Sequence, residues 1–395
     1  MKRLFLLISL IVLGTVISSS IYGLVLGYPV SVTAEDVDFD RQEEPSLPPA
    51  IPNQTILLIA AGDCLMHNTQ IDSGLQSDGA YSFDTFFADV TDLIRSGDYA
   101  TTCLETPLAG PASGYTGYPL FNSPDTVIDA FLSAGFNYIG SAHNHILDRG
   151  NQGAVRTLEV LSQKGADTAG VYTMPKEEQD FLIKDIRGVK VGYLAYTYST
   201  NGIPLAKSPP LEINMLDPEL IYSDIAALRP QVDILILLLH WGVEYSPQPT
   251  QEQTELARAF LTAGADVILG SHPHVIQTME LINIDGKNKF VIYSMGNFIS
   301  HQIGQERNSG IILQLEFTKD FNTDRTELNS VDYIPTFSHD FYQNGRRKFR
   351  VVPVEAVIEK IGSGEEIYLA ARDIPVLQGV LSDTRRRLGE PIIIH

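Results

Sequence analysis

The chain has 395 residues, 44% hydrophobic and 19% charged, a globular composition with enough length for one large core or two ordinary ones. Acidic residues outnumber basic ones 48 to 28, for a net charge of −20, and a surface that negative repels phosphate backbones, which excludes nucleic acid as a partner. Two cysteines, Cys64 and Cys103, are too few for a disulfide scaffold or a thiolate-built zinc module.

After Met1-Lys2-Arg3 the chain runs from Leu4 to Val30 without a charged side chain. Residues 1–34 read as a signal anchor, long enough to cross a bilayer as a tilted helix, with Lys2 and Arg3 keeping the N-terminus cytoplasmic. A cleaved signal peptide ending at Val32-Thr33-Ala34 is the rival. Either way the rest is expected outside the cytoplasm, as a single-pass protein of the cell membrane or as a secreted one. Residues 35–53, with Asp36, Asp38, Asp40, Glu43 and Glu44 followed by Pro45, Pro48, Pro49 and Pro52, read as an extended acidic linker.

From residue 54 onward, apolar runs alternate with amphipathic stretches, which predicts an α/β fold. Strands are expected at Thr55–Ala61, Tyr99–Leu104, Asn137–Ala142, Lys190–Tyr196, Asp233–Leu239 and Asp266–Leu269. Helices are expected at Thr126–Ala134, Gln152–Lys164, Pro218–Leu228 and Gln251–Ala263. Strands then follow more thickly, at Glu280–Ile284, Phe290–Met295, Gly310–Phe317 and Arg350–Val354, with a hairpin turn at Asp285-Gly286. The main domain is expected over 54–318, and a strand-containing extension packing on it over 319–395.

Polar residues fall at the strand ends. Asp63 closes the first strand, Glu105 the second and His143-Asn144-His145 the third. His240 and Ser271-His272-Pro273-His274 close two later ones, so five of the nine histidines lie in three strand-end motifs. Open α/β sheets bind ligands at the carboxyl ends of their strands, which should gather these groups on one rim. Singly each has a plain reading: Asp63 as a turn cap, Glu105 as a solvated loop residue, His240 as a satisfied buried histidine. Jointly, carboxylates, an amide oxygen and neutral imidazoles form a donor set for manganese, iron or zinc. Two such ions sharing a carboxylate could activate water for in-line attack on a phosphoryl group, with a further histidine protonating the leaving oxygen.

No phosphate-binding glycine loop, nucleophile elbow or H-E-x-x-H motif is present. Cys103 reads as a small apolar strand residue. Strand parity turns it with Glu105 and away from Cys64, against a disulfide. Arg346-Arg347-Lys348 and Arg385-Arg386-Arg387 read as solvated basic faces, and His301 and His339 as loop histidines.

The motifs Ala61-Gly62-Asp63, Leu104-Glu105-Thr106-Pro107-Leu108, Asn144 to Gly150, His240 to Tyr245, Gly270 to His274 and Tyr293 to Phe298 resemble, in order, those of the CapA-type capsule and poly-γ-glutamate synthesis family. That family is similar to the calcineurin-like metallophosphoesterases, so the resemblance implies a four-layer α/β/β/α sandwich with a two-metal centre. It implies Asp63 and His274 on one ion, Asn144, His240 and His272 on the other, and Glu105 bridging. It also implies His145 as general acid with Asp148 holding its ring. His143, Arg149, Asn297 and His67 are weaker candidates for contacts to substrate or to the ligands. The sequence departs from the family pattern at Cys103, where Asn is common, at His143 in place of Asn, and at Ser271 where His is common.

The expected function is that of an exported, membrane-anchored phosphoesterase-type protein with two divalent ions, in capsule or poly-γ-glutamate synthesis or export. Its expected partners are membrane polymer synthase or export subunits and an anionic polymer or phosphoester substrate. The alternatives are a non-catalytic metal-binding subunit of such a complex, or an extracytoplasmic phosphodiesterase or nucleotidase unrelated to capsule.

Overall fold

The computed structural model describes residues 51–173 and 181–394. The expected anchor 1–34, and the linker up to residue 50, lie outside the described residues. Among the described residues no helix is long and apolar enough to cross a membrane.

The strands are β1 (Gln54–Cys64), β2 (Tyr99–Leu104), β3 (Tyr138–Gly140), β4 (Val171–Tyr172), β5 (Leu182–Ile186), β6 (Val189–Thr197), β7 (Glu212–Ile213) and β8 (Ile234–His240). They continue as β9 (Val267–Ser271), β10 (Met279–Ile284), β11 (Lys287–Ile292), β12 (Asn297–Ile299), β13 (Ser309–Asp320), β14 (Arg325–Gln343), β15 (Arg346–Pro353) and β16 (Ile392–Ile393). One sheet runs β15-β14-β13-β1-β2-β3, with β12 also on β1 and β16 on β14. The other runs β10-β11-β9-β8-β6-β5, and β4 pairs with β7. Within the first sheet β1, β2 and β3 are parallel, and within the second β6, β8, β9 and β11 are parallel, so the carboxyl ends of each set share an edge.

Alternation along the strands builds the layers. Ile56, Leu58 and Ala60 of β1 join Ile234 and Ile236 of β8 and Val267 and Leu269 of β9 in a central apolar layer between the sheets. Ile59 and Ala61 face the other way, into a core closed by Val127, Ile128 and Phe131 of helix Thr126–Ala134 and by Val160 and Leu161 of helix Gly150–Lys164. Leu235, Leu237 and Leu239 face outward onto Ile221, Ile225 and Leu228 of helix Pro218–Leu228 and Ala257 and Phe260 of helix Gln251–Ala263. The architecture is helices, sheet, sheet, helices. Local chemistry sets the helix starts: Asp217 accepts from the Glu219 N–H ahead of Pro218, and Thr250 with Gln253 forms a capping box.

The C-terminal part departs from expectation. β14 is a strand that no apolar run announces, because its pairing to β13 and β15 leaves every second side chain half exposed. Helices Val354–Ser363 and Ile374–Leu388 follow, and Val352, Val354, Val357, Leu377 and Val380 form their own small core. The basic runs are not simply solvated. Arg387 pairs with Glu306 at 3.0 Å and donates to the Ile276 carbonyl at 2.9 Å, and Lys348 Nζ donates to the Ser73 carbonyl.

Candidate metal centre

Asp63 stands at the end of β1, and its backbone N–H donates to the Gly296 carbonyl at 2.9 Å. The approach is that close because residue 62 is glycine: a Cβ there would lie 2.0 Å from the same carbonyl oxygen. Glu105 follows β2, Asn144 and His145 follow β3, His240 closes β8, and His272 and His274 follow β9. His272 and His274 project from left-handed backbone, with φ of 94° and 58°. All of these side chains are buried.

Glu105 is the hub. Its Oε1 lies 3.6 Å from His240 Nε2, 3.8 Å from His274 Nε2 and 4.0 Å from His145 Nε2, too far for hydrogen bonds. Both of its oxygens, Asp63 Oδ1 and His272 Nδ1 are buried with no hydrogen-bond partner. Orphaned buried polar atoms are costly, and three carboxylate oxygens with imidazole nitrogens around them are the donors a divalent cation takes. Ligand atoms of Asp63, Glu105 and His274 lie within 4.8 Å of one another, as do those of Glu105, His240 and His272. The residues therefore fit divalent metal.

The surroundings orient the donors. His240 Nδ1 meets Ser271 Oγ at 2.9 Å and its Nε2 meets Asn144 Oδ1 at 2.9 Å. His274 Nδ1 meets Asn297 Oδ1 at 3.0 Å, and Asp63 Oδ2 accepts from the His272 N–H at 2.9 Å. His145 Nδ1 bonds Asp148 Oδ2 at 2.8 Å, and the same oxygen accepts from the Phe121 N–H at 2.7 Å.

Burial lowers the basicity of His274, but the Glu105 and Asp63 carboxylates outweigh it and hold the imidazole at about 9. Burial raises Glu105, and the His274 and His240 imidazoles overcome that and keep its carboxyl well below the usual range. Burial alone dominates at His272, which is pushed far down. The field that retains a proton on His274 is the field that would draw a cation in.

The span of chain that carries this cluster matches a known family: residues 57–302 fit the model described as bacterial capsule synthesis protein PGA_cap. The chain belongs to this family. It is 29% identical over 254 residues to the PGA biosynthesis protein CapA of Bacillus subtilis (strain 168), covering 63% of this chain and 65% of that protein. It is 27% identical over 261 residues to the capsule biosynthesis protein CapA of Bacillus anthracis, covering 63% and 61%. The matches thus span less than two thirds of either relative's length. Among solved structures it is similar to the calcineurin-like phosphoesterase YfkN of Bacillus subtilis, with 14% identity over 85% of this chain and 99% of that one and a TM-score of 0.41. It is also similar to a 5'-nucleotidase precursor of Thermus thermophilus, with 13% identity over 84% and 59% and a TM-score of 0.43.

Within this family member, Asp63, Glu105, Asn144, His145, His240, His272 and His274 come together as the strand-end pattern predicts, with Asp148 behind His145 and Asn297 behind His274. The weaker candidates stand further out. His143 is buried 6.3 Å from the His240 ring with both nitrogens unpartnered, and burial pushes it well below its ordinary pKa. His67 precedes helix Asn68–Gly74, lies edge-on to Phe121, and is lowered by burial to about 4. Arg149 holds the preceding loop, bonding Thr116 and the Leu120 carbonyl; Phe121 of that loop packs against His145 at 4.7 Å.

Several neighbours are missing from the sequence expectation. Cys103 has its sulfur grouped with donor atoms of Asp63 and His240, and both cysteines are free. Glu244 is grouped with His272 and His274, and its place four residues after His240 was the available signal. Asn201 lies beside Asn144 and His145, and Tyr198 packs on His272 in a tilted contact with ring centres 4.5 Å apart. Both sit in the loop after β6, whose sequence carries no motif.

Proposed function

We propose that the chain is an exported, membrane-anchored hydrolase of phosphoesters that depends on two divalent ions, manganese, iron or zinc, and serves capsule or poly-γ-glutamate synthesis or export. The observation that carries this reading is the buried Glu105 carboxylate, both oxygens unpaired, facing three imidazoles. Asp63 and His274 would hold one ion, Asn144, His240 and His272 the other, and Glu105 both. When bound, the ions supply Lewis-acid polarisation of the phosphoryl oxygens.

The remaining chemistry belongs to the chain. Asp148, accepting from His145 Nδ1–H, fixes the ring and leaves Nε2 turned toward Glu105 and the cluster. Burial lowers the His145 pKa, but the Asp148 hydrogen bond and the Glu105 charge together raise it above its ordinary value, so the imidazole holds a proton to give to the departing oxygen. Phe121 packs against that ring in a T-shaped contact with centres 4.7 Å apart. Poly-γ-glutamate carries no phosphoester, so the reading assigns the chemistry to a phosphoester-bearing component of polymer assembly rather than to the polymer.

The test is metal content per chain of the purified protein beside turnover of bis(p-nitrophenyl) phosphate. Two equivalents of metal, with turnover reduced about 10²- to 10⁴-fold in His145→Ala and metal content unchanged, is the expected result. Metal without turnover on any ester favours a non-catalytic metal-binding subunit. No metal after loading with manganese or zinc removes the site assignment.

A further inference from the structure

Arg307, in the loop after β12, has its guanidinium carbon 3.7 Å from the centre of the Tyr245 ring. Tyr245 in turn has its ring centre 6.1 Å from that of His274. The main chain ties Arg307 to the same place. Its carbonyl accepts from Asn297 Nδ2 at 2.7 Å, and Asn297 Oδ1 meets His274 Nδ1. An aromatic face and a backbone link therefore hold this cation two steps from a metal-site imidazole.

The charge is left free. Arg307 forms no ion pair among the described residues, a state it shares with Arg95, Arg149, Arg258, Arg325 and Arg346, and of these it is the one held over an aromatic ring beside the donor cluster. In a chain with 48 acidic residues against 28 basic ones, an unclaimed guanidinium beside the site calls for an anion. The adjacent Glu244 forms no ion pair with Arg307, and its carboxylate lies with His272 and His274 instead. The cation–π contact with Tyr245 restrains the guanidinium, which lowers the entropy lost when its fork takes two oxygens.

We propose that Arg307 selects the substrate: an ester whose phosphoryl group enters the donor cluster and which carries a second anionic group, carboxylate or phosphate, a few bonds away. This rests on the phosphoesterase reading above. Calorimetric titration of the manganese-loaded full chain tests it with three probes: propylphosphonate, 3-phosphonopropionate and propane-1,3-bisphosphonate. Wild type should bind the two doubly anionic probes about tenfold more tightly than propylphosphonate, as a partly exposed charge-assisted contact allows. The ranking of those two identifies the second group. Arg307→Gln should bring all three to parity while keeping the propylphosphonate affinity, and Arg307→Lys should retain part of the preference. Equal binding of the three by wild type, or a preference that survives in Arg307→Gln, overturns the assignment of Arg307 alone. Failure of loaded wild type to bind any of them overturns the metal-site reading and this one with it.

Discussion

The two sheets contribute different chemistry to one place. The first presents oxygens at its strand ends, from Asp63, Glu105 and Asn144, together with His145. The second presents nitrogens, from His240, His272 and His274. The groups around Glu105 draw donors from both edges, so that part of the cluster exists only where the central apolar layer brings the two edges together. Site geometry is thus a property of sheet-on-sheet packing, and the outer helical layers act on it only at a distance.

The largest effect should come from Glu105→Gln, which removes the charge facing imidazoles of both sheets. Metal content and phosphodiester turnover should fall together, by roughly a thousandfold or more in turnover, with far-UV circular dichroism unchanged. Ile236 in the central layer and Phe131 of the outer helix Thr126–Ala134 are both buried, and alanine at either should cost about 2–5 kcal/mol in denaturant unfolding. Only Ile236→Ala should also weaken metal affinity; equal weakening by Phe131→Ala would break the distinction between the layers.

Ser271→Ala frees the His240 ring from its Nδ1 partner and should lower metal affinity about 10- to 100-fold by calorimetry. The smallest effect is remote from both donor edges. Burial and the adjacent Arg350 hold His339 at about 4, below the ordinary 6.5. Its stabilising contribution is present above about pH 6.5 and is lost as pH falls toward 4, because the unfolded chain takes up the proton first. His339→Asn should flatten that acid slope by about 1–3 kcal/mol and leave metal affinity unchanged.

The sequence is most legible where one physical rule dominates. Helices Thr126–Ala134, Pro218–Leu228 and Gln251–Ala263 match their expected bounds, because amphipathic spacing and, at two of them, N-terminal caps agree. The donor residues are readable because a charged or imidazole side chain closing a buried strand has no apolar reason to be there. β14 is not readable, since its half-exposed face dilutes the apolar signal and its partners are set by β13 and β15. Arg387 looks like a surface charge because nothing local marks Glu306 and the Ile276 carbonyl as its partners. Tyr198 and Asn201 reach the site only through the path of a loop, which tertiary packing decides.

His272 and His274 take a backbone that L-residues enter at a cost of roughly 1–3 kcal/mol each. Beside them stands a buried carboxylate with neither oxygen partnered. His272→Gly, His274→Gly and Glu105→Gln together would, on this reckoning, make a hardier protein that has lost its donor set. This chain keeps the costlier arrangement where the strands of both sheets end.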